Sequence, residues 1–246
     1  MSTVLITGCS SGFGLETAHY FLERGWHVVA TMRVPREAVL PQSERLRILP
    51  LDVTDAHSVR RAIESAGPID ALVNNAGIGL MSVFENTDMG TAREVFETNT
   101  FGTMAVTHAV LPQFREREAG VVVNVTSSVT SRPLPLLSIY TASKAAINAF
   151  TESLALELEQ FNVRVRLVIP GSSPETAFRH TARLRMQRAA PTEQYADFAQ
   201  AIFARIGQQS LFTTSRDVAE AIWYATTDPA SPTRIPAGAD AVALSA

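Results

Sequence analysis

The feature that most narrows the fold is an alternation. Short apolar runs that read as strands recur along the chain, and stretches with helical spacing of apolar residues lie between them. The first unit sets the pattern: an apolar run over residues 4–7, a turn carrying Gly8, Gly12 and Gly14, then a helical pattern from about Phe13 to Arg24. Further strands are expected at His27–Thr31, Leu46–Leu51, Ile69–Val73, Val121–Val125 and Val163–Ile169. Strands joined through a crossover helix favour parallel pairing, because the helix carries the chain back before the next strand begins. The alternation therefore predicts an α/β protein, a Rossmann-type doubly wound, mostly parallel sheet flanked by helices, as a single domain over residues 1–246. With 46 % hydrophobic residues the chain can bury one sizeable core.

Several function classes are excluded at this level. The net charge is -3 and the basic residues are scattered, so no nucleic-acid partner is expected. Cys9 is the only cysteine, which excludes an intrachain disulfide and a thiolate metal cluster. The five histidines lack ligand spacing, and no metal is expected. No secretory leader pattern and no apolar run long enough to span a membrane is present, so the expectation is a soluble, cytoplasmic protein without a membrane partner.

The glycine turn points to a phosphate. Strand, glycine loop and helix in that order put unpaired amides and the positive end of a helix dipole beside a loop that a pyrophosphate can approach closely. Gly8, Ser10, Ser11, Gly12, Phe13 and Gly14 are the candidate contacts. The second strand ends in Met32 and Arg33, where an NAD-binding chain would place a carboxylate for the ribose hydroxyls. A guanidinium without that carboxylate suits a 2'-phosphate, so NADP(H) is expected in preference to NAD(H). Asp52 and Val53 follow the third strand; Asp52 can meet the adenine amine or cap the helix that starts around Asp55. Asn74, Asn75, Ala76 and Gly77 follow the fourth strand, where they can line the cleft or merely hold the turn.

The chemistry is expected between Asn124 and Lys144. Ser127 follows the fifth strand, and Tyr140 and Lys144 are four residues apart on a helix predicted from about Ser138 to Gln160. A lysine cation beside a phenol favours the phenolate, which predicts a Tyr140 pKa below its usual value of about 10. Such a tyrosine can give a proton to a developing alkoxide or take one back. Tyr-x-x-x-Lys also arises by chance in helices, so the spacing alone decides little.

The remaining segments are read as surroundings. A long helix is expected from about Met89 to Arg117, with a break near Pro112, and Asn99 lies within it as a poor helix former. Pro170 and Gly171 end the sixth strand, so residues 172–210 fall beyond a strand's carboxyl end, where a substrate cover belongs. Leu80, Met81, Pro133, Leu134, Leu136, Leu137, Phe178, Met186 and Tyr195 are the expected pocket walls, which suits an apolar ligand unless Arg179, Arg183, Arg185 or Arg188 turns inward. A final helix over residues 215–224 and a short edge strand near Pro236 complete the chain.

Taken together, Gly8, Gly12 and Gly14, Asp52-Val53, Asn74 to Gly77, Asn99, Ser127, Tyr140 with Lys144, and Pro170-Gly171 resemble the classical short-chain dehydrogenases/reductases. The Met32-Arg33 ending, the Cys-Ser-Ser glycine loop and the closing stretch from Arg234 to Ala241 resemble the NADP(H)-using, 17β-hydroxysteroid-dehydrogenase-like branch. The resemblance implies hydride transfer between nicotinamide and a ketone or secondary alcohol. It implies Tyr140 as acid and base, Ser127 as the group orienting the carbonyl oxygen, and Lys144 on the nicotinamide ribose. Asn99 would support a water that links Lys144 to solvent. It also implies a homo-oligomer, built on the helices of residues 89–117 and 138–160. The family's nicotinamide-binding threonine is expected five residues after the proline; Glu175 stands there, and the role is carried to Thr176. Two other classes compete. One is a dinucleotide-binding sensor without turnover; the other is a cofactor-free halohydrin-processing relative, which the glycines and Lys144 disfavour.

Overall fold

A computed structural model describes residues 2–174, 176, 182, 192–207 and 210–245. Seven strands form one sheet: β1 (Thr3–Ile6), β2 (His27–Met32), β3 (Leu46–Pro50), β4 (Ala71–Asn74), β5 (Gly120–Val125), β6 (Val163–Pro170) and β7 (Arg234–Ala237). Their order is β3-β2-β1-β4-β5-β6-β7, and each neighbouring pair is parallel. The helices are α1 (Gly12–Glu23), α2 (Ala56–Ala66), α3 (Met89–Phe96), α4 (Gly102–Arg117), α5 (Ser138–Leu158), α6 (Glu193–Gly207), α7 (Ser215–Thr227) and α8 (Ala239–Ser245). The fold is thus the expected Rossmann-like α/β architecture. The strand order reverses between β1 and β4, which opens a crevice at the carboxyl ends of the strands.

Alternation along the strands explains the two faces. Val4 and Ile6 point into one core with Phe21, Val218 and Ile222, while Leu5 between them points into the other with Val106, Phe114 and Leu154. The central strands β1, β4 and β5 are therefore buried on both sides, and their sequences read as nearly continuous apolar runs. In β4 and β5 an asparagine interrupts the apolar run. Asn74 and Asn124 are buried, and the Asn74 amide donates to the Asn124 side chain and to Thr107 Oγ1, both at 2.9 Å. The Asn124 amide in turn donates to Thr151 Oγ1 on α5 at 2.8 Å. This network ties β4 and β5 to the helices directly below the strand ends.

Two expectations about helices are corrected. Asp55 caps α2, accepting from the His57 amide at 2.8 Å, so Asp52 is not the cap. The long helix is interrupted at Glu97–Phe101, where the backbone widens into a π turn, and not at Pro112, which lies inside α4. Pro112 and His108 are both exposed, so water can satisfy the carbonyl that the proline leaves free. Among the described residues, no helix is long and apolar enough to cross a membrane.

Candidate active site

The glycine turn is shaped by close approach. Gly8 has φ +75° and Gly12 φ +58°, both in the left-handed region that glycine adopts readily. A Cβ on Gly14 would lie 2.4 Å from Asn75 Nδ2 and 2.5 Å from the Gly8 carbonyl, so only a glycine fits there. Asn75 donates its amide to the carbonyls of Thr7 and Gly8, at 2.9 and 3.2 Å, and so braces the turn. Thr7 completes the brace: its hydroxyl accepts from the amides of Asn75 and Ala76 at 3.0 and 2.9 Å. Ser11, the residue before α1, makes no side-chain cap, so the first amides of that helix are left for a ligand.

From this turn a cavity of about 1830 Å³ follows the carboxyl ends of the strands. That exceeds an ordinary single-ligand pocket of roughly 300–1,000 Å³, and suits a dinucleotide with a second molecule. Gly8, Ser10, Ser11, Gly12, Phe13, Met32, Arg33, Asp52, Val53, Asn75, Ala76 and Gly77 line its first part. Asp52 accepts from the Thr54 amide and hydroxyl at 3.0 and 2.7 Å. Val53 is pressed forward by α4, because a Cβ on Gly102 would lie 2.6 Å from Val53 Cγ2. Arg33 is exposed at the rim, whereas Met32 is packed into the core. Sequence reading missed Arg36, which donates to the Ser10 carbonyl at 2.9 Å and so places a second guanidinium near the same rim.

Ser127, Tyr140 and Lys144 meet farther along the cavity, with Pro170, Gly171 and Thr176 among its other walls. The Ser127 and Tyr140 hydroxyls are hydrogen-bonded to each other. Ser127 is held by a short 3-10 turn over Ser128–Thr130, whose Thr130 hydroxyl donates to the Ser127 carbonyl at 2.8 Å. Asn148 on α5 donates to that same hydroxyl at 2.9 Å, a brace no local pattern announces. Lys144 donates to the Val125 carbonyl at 2.9 Å. Burial dominates both titrations. It lowers the Lys144 pKa to about 8 and raises that of Tyr140 to about 12, the Ser127 hydrogen bond opposing the latter. The expected lowering of the tyrosine by its lysine is not found in the free protein: desolvation of the phenolate dominates, and the Ser127 hydrogen bond, not the lysine, opposes it.

Asn99 lies behind this wall, fully buried. Its side chain pairs with the Ile78 backbone in both directions, at 2.8 and 2.9 Å, and donates to Ser143 Oγ at 3.1 Å. Its carbonyl accepts from Thr103 Oγ1 at 2.9 Å. A Cβ on Gly77 would come within 3.2 Å of Asn99 Oδ1 and 3.4 Å of Lys144 Nζ, so the glycine leaves a small polar cradle there. Thr176 packs against Gly12 and donates to the Ser173 carbonyl at 3.2 Å.

The apolar end is lined by Leu80, Met81, Pro133, Leu134 and Leu137, joined by Ile202 and Phe203 from α6. Leu136 and Tyr195 were expected in this wall and are not in it. Leu136 adopts φ +66°, a costly conformation for a bulky residue, and turns into a cluster with Val83 and Ala199. Tyr195 packs on the same cluster and donates to Glu85 at 2.7 Å. Phe178, Met186, Arg179, Arg183, Arg185 and Arg188 lie outside the described residues, as does Glu175. Among the described residues, no cluster of three or more histidine, cysteine or acidic side chains is arranged for a metal.

A family model described as short chain dehydrogenase matches residues 2–187. The chain belongs to the short-chain dehydrogenase family of oxidoreductases. Among its relatives is 3-ketodihydrosphingosine reductase of Bacteroides thetaiotaomicron, 37 % identical over 79 % of this chain and 71 % of that one. Retinol dehydrogenase 8 of Bos taurus is 39 % identical over 69 % of this dehydrogenase but 58 % of its own length. A solved short-chain dehydrogenase from Streptomyces avermitilis superposes with a TM-score of 0.85 at 30 % identity, covering 99 % of this chain and 91 % of that one. A serine dehydrogenase complexed with NADP+ gives 0.81 at 28 % identity, covering 95 % and 93 %. A 3-ketoacyl-(acyl-carrier-protein) reductase from Brucella melitensis complexed with NADH also gives 0.81, at 27 % identity, covering 96 % of each chain. Both nicotinamide dinucleotides thus occur among the structural neighbours.

Proposed function

We propose that this short-chain dehydrogenase is an NADP(H)-dependent oxidoreductase that interconverts a bulky apolar ketone and its secondary alcohol, within the 17β-hydroxysteroid-dehydrogenase-like branch. The observation that carries the reading is the hydrogen-bonded Ser127–Tyr140 pair with Lys144 in the same wall, in a cavity whose far end has Arg33 and, at the end of β2, Met32 where a ribose-binding acid would stand. Two relatives are named for carbonyl–alcohol chemistry on 3-ketodihydrosphingosine and retinol, both of which carry a long hydrocarbon portion. The aliphatic wall from Leu80 to Leu137 supports the same substrate class. Residues 172–210 act as its cover.

When bound, the nicotinamide supplies or accepts the hydride. The glycine turn and the open amides of α1 hold the pyrophosphate, Arg33 reads the 2'-phosphate, and Lys144 and the cradle at Gly77 receive the nicotinamide ribose. Ser127 and Tyr140 both donate to the substrate oxygen, fixing the carbonyl and favouring the charge that develops on it. Tyr140 then gives its proton. A phenol with a pKa of about 12 in the free site is fully loaded for reduction at neutral pH. The oxidative direction needs the phenolate, so it is the direction that gains as pH rises.

NADPH consumption over a panel of apolar ketones, keto acids and sugars tests the substrate class; a preference for keto acids or sugars overturns it. Tyr140→Phe is expected to leave NADPH affinity nearly unchanged and to cut turnover by roughly a hundredfold or more. Wild-type turnover in that variant removes Tyr140 from the mechanism.

A further inference from the structure

The end of the chain returns to the cleft. Helix α8 places Asp240 against the turn that closes β6. One carboxylate oxygen accepts from the Ser172 amide at 2.6 Å, and the other accepts from the Thr213 hydroxyl at 2.6 Å. The Gly171 amide donates to that hydroxyl at 3.0 Å, and the Thr213 amide donates to the Ser172 carbonyl at 2.9 Å. The hydroxyl has one proton, and the charged acceptor takes it in preference to the Ala237 carbonyl at 2.9 Å. Fit is close on both sides of the knot: a Cβ on Gly171 would lie 2.1 Å from Asp240 Oδ1, and one on Gly238 would lie 2.1 Å from Thr213 Oγ1. Ser172 follows β6 and Thr213 precedes α7, and Gly171, Ser172 and Asp240 all line the cavity.

We propose that Asp240 is a positioning residue: it ties Ser172 and Thr213 to the Pro170-Gly171 turn and so sets the shape of the cleft from the C-terminal helix. Ser127 follows β5 and is braced by Thr130, while Tyr140 and Lys144 sit on α5, held by Ser143 and by the Val125 carbonyl. Loss of the carboxylate therefore loosens binding and leaves proton transfer in place. This rests on the dinucleotide reading of the cavity.

Full-length Asp240→Ala and Asp240→Asn separate the possibilities. Asp240→Ala is expected to raise the NADPH Kd and the ketone KM about tenfold, the worth of one charge-assisted hydrogen bond, with kcat within about threefold. Asp240→Asn keeps an acceptor for the Ser172 amide while Thr213 turns to Ala237, and should recover most of the loss. A merely structural role would instead lower kcat through a smaller active fraction, with KM unchanged; that result, or no effect in either variant, overturns the proposal. Hydrogen exchange at the Ser172 and Thr213 amides gives a readout that needs neither turnover nor cofactor. If no ketone is reduced, faster exchange at both amides in Asp240→Ala, slowed again in Asp240→Asn, still supports the tie, and unchanged exchange refutes it.

Discussion

At the scale of single residues, burial decides more than neighbouring charge. Lys144 has a pKa of about 8 in the folded chain against 10.5 for a free lysine, so the unfolded state binds more protons between those values. Stability is therefore expected to rise with pH from about 8, by up to about 3 kcal/mol, until the Tyr140 contribution reverses it. Tyr140 is raised from 10.0 to about 12, so the folded state keeps its proton longer and stability falls across that window. Urea unfolding of Lys144→Met over the alkaline range checks this: the rise between about 8 and 10 should vanish. Cofactor choice is also a residue-scale matter. Met32 is a core side chain, so an acid placed there would be buried, and Arg33 is the cleaner position to change. Arg33→Ala should lower kcat/KM with NADPH by about ten- to a hundredfold and leave NADH within a few-fold. Equal losses with both cofactors would leave Arg36 as the phosphate reader.

At the scale of elements, the interrupted helix is the informative case. An asparagine inside a helical stretch was visible as an anomaly, yet its partners were not, because Ile78 and Ser143 are 21 and 44 residues away. The π turn brings Asn99 round to complete the backbone pairing of the loop after β4, and that loop carries Gly77 to Lys144. Asn99→Leu removes the partners of several buried polar groups at once. It should cost about 2–3 kcal/mol in chemical denaturation and lower kcat in proportion to the disorder of the Gly77 cradle. Unchanged stability would mean that the π turn is held by Thr103 and Thr100 alone. The proline loop before α5 shows the same limit: its apolar residues were legible as pocket walls, but which of them face inward depends on the left-handed turn at Leu136, stabilised by burial under α6.

At the scale of the whole molecule, α4 and α5 pack on one face of the sheet, and Phe101 and Leu156 remain exposed on it. A homo-oligomer built on these helices is expected; sedimentation at micromolar concentration should show a dimer or tetramer, and a monomer would refute it. The sequence by itself determined the alternation of strands and helices, the glycine turn, the strand-end motifs and the one-turn spacing of Tyr140 and Lys144. All of these are local, written in periods of two or four residues. Only the tertiary structure decided that Thr7 braces Asn75 across 68 residues, that Asp240 reaches Ser172 across another 68, and that Asn75 closes on Gly14 so that no side chain fits there. It also decided the protonation of the active pair. Desolvation is set by every segment that closes over a group, and those segments are far apart in the chain.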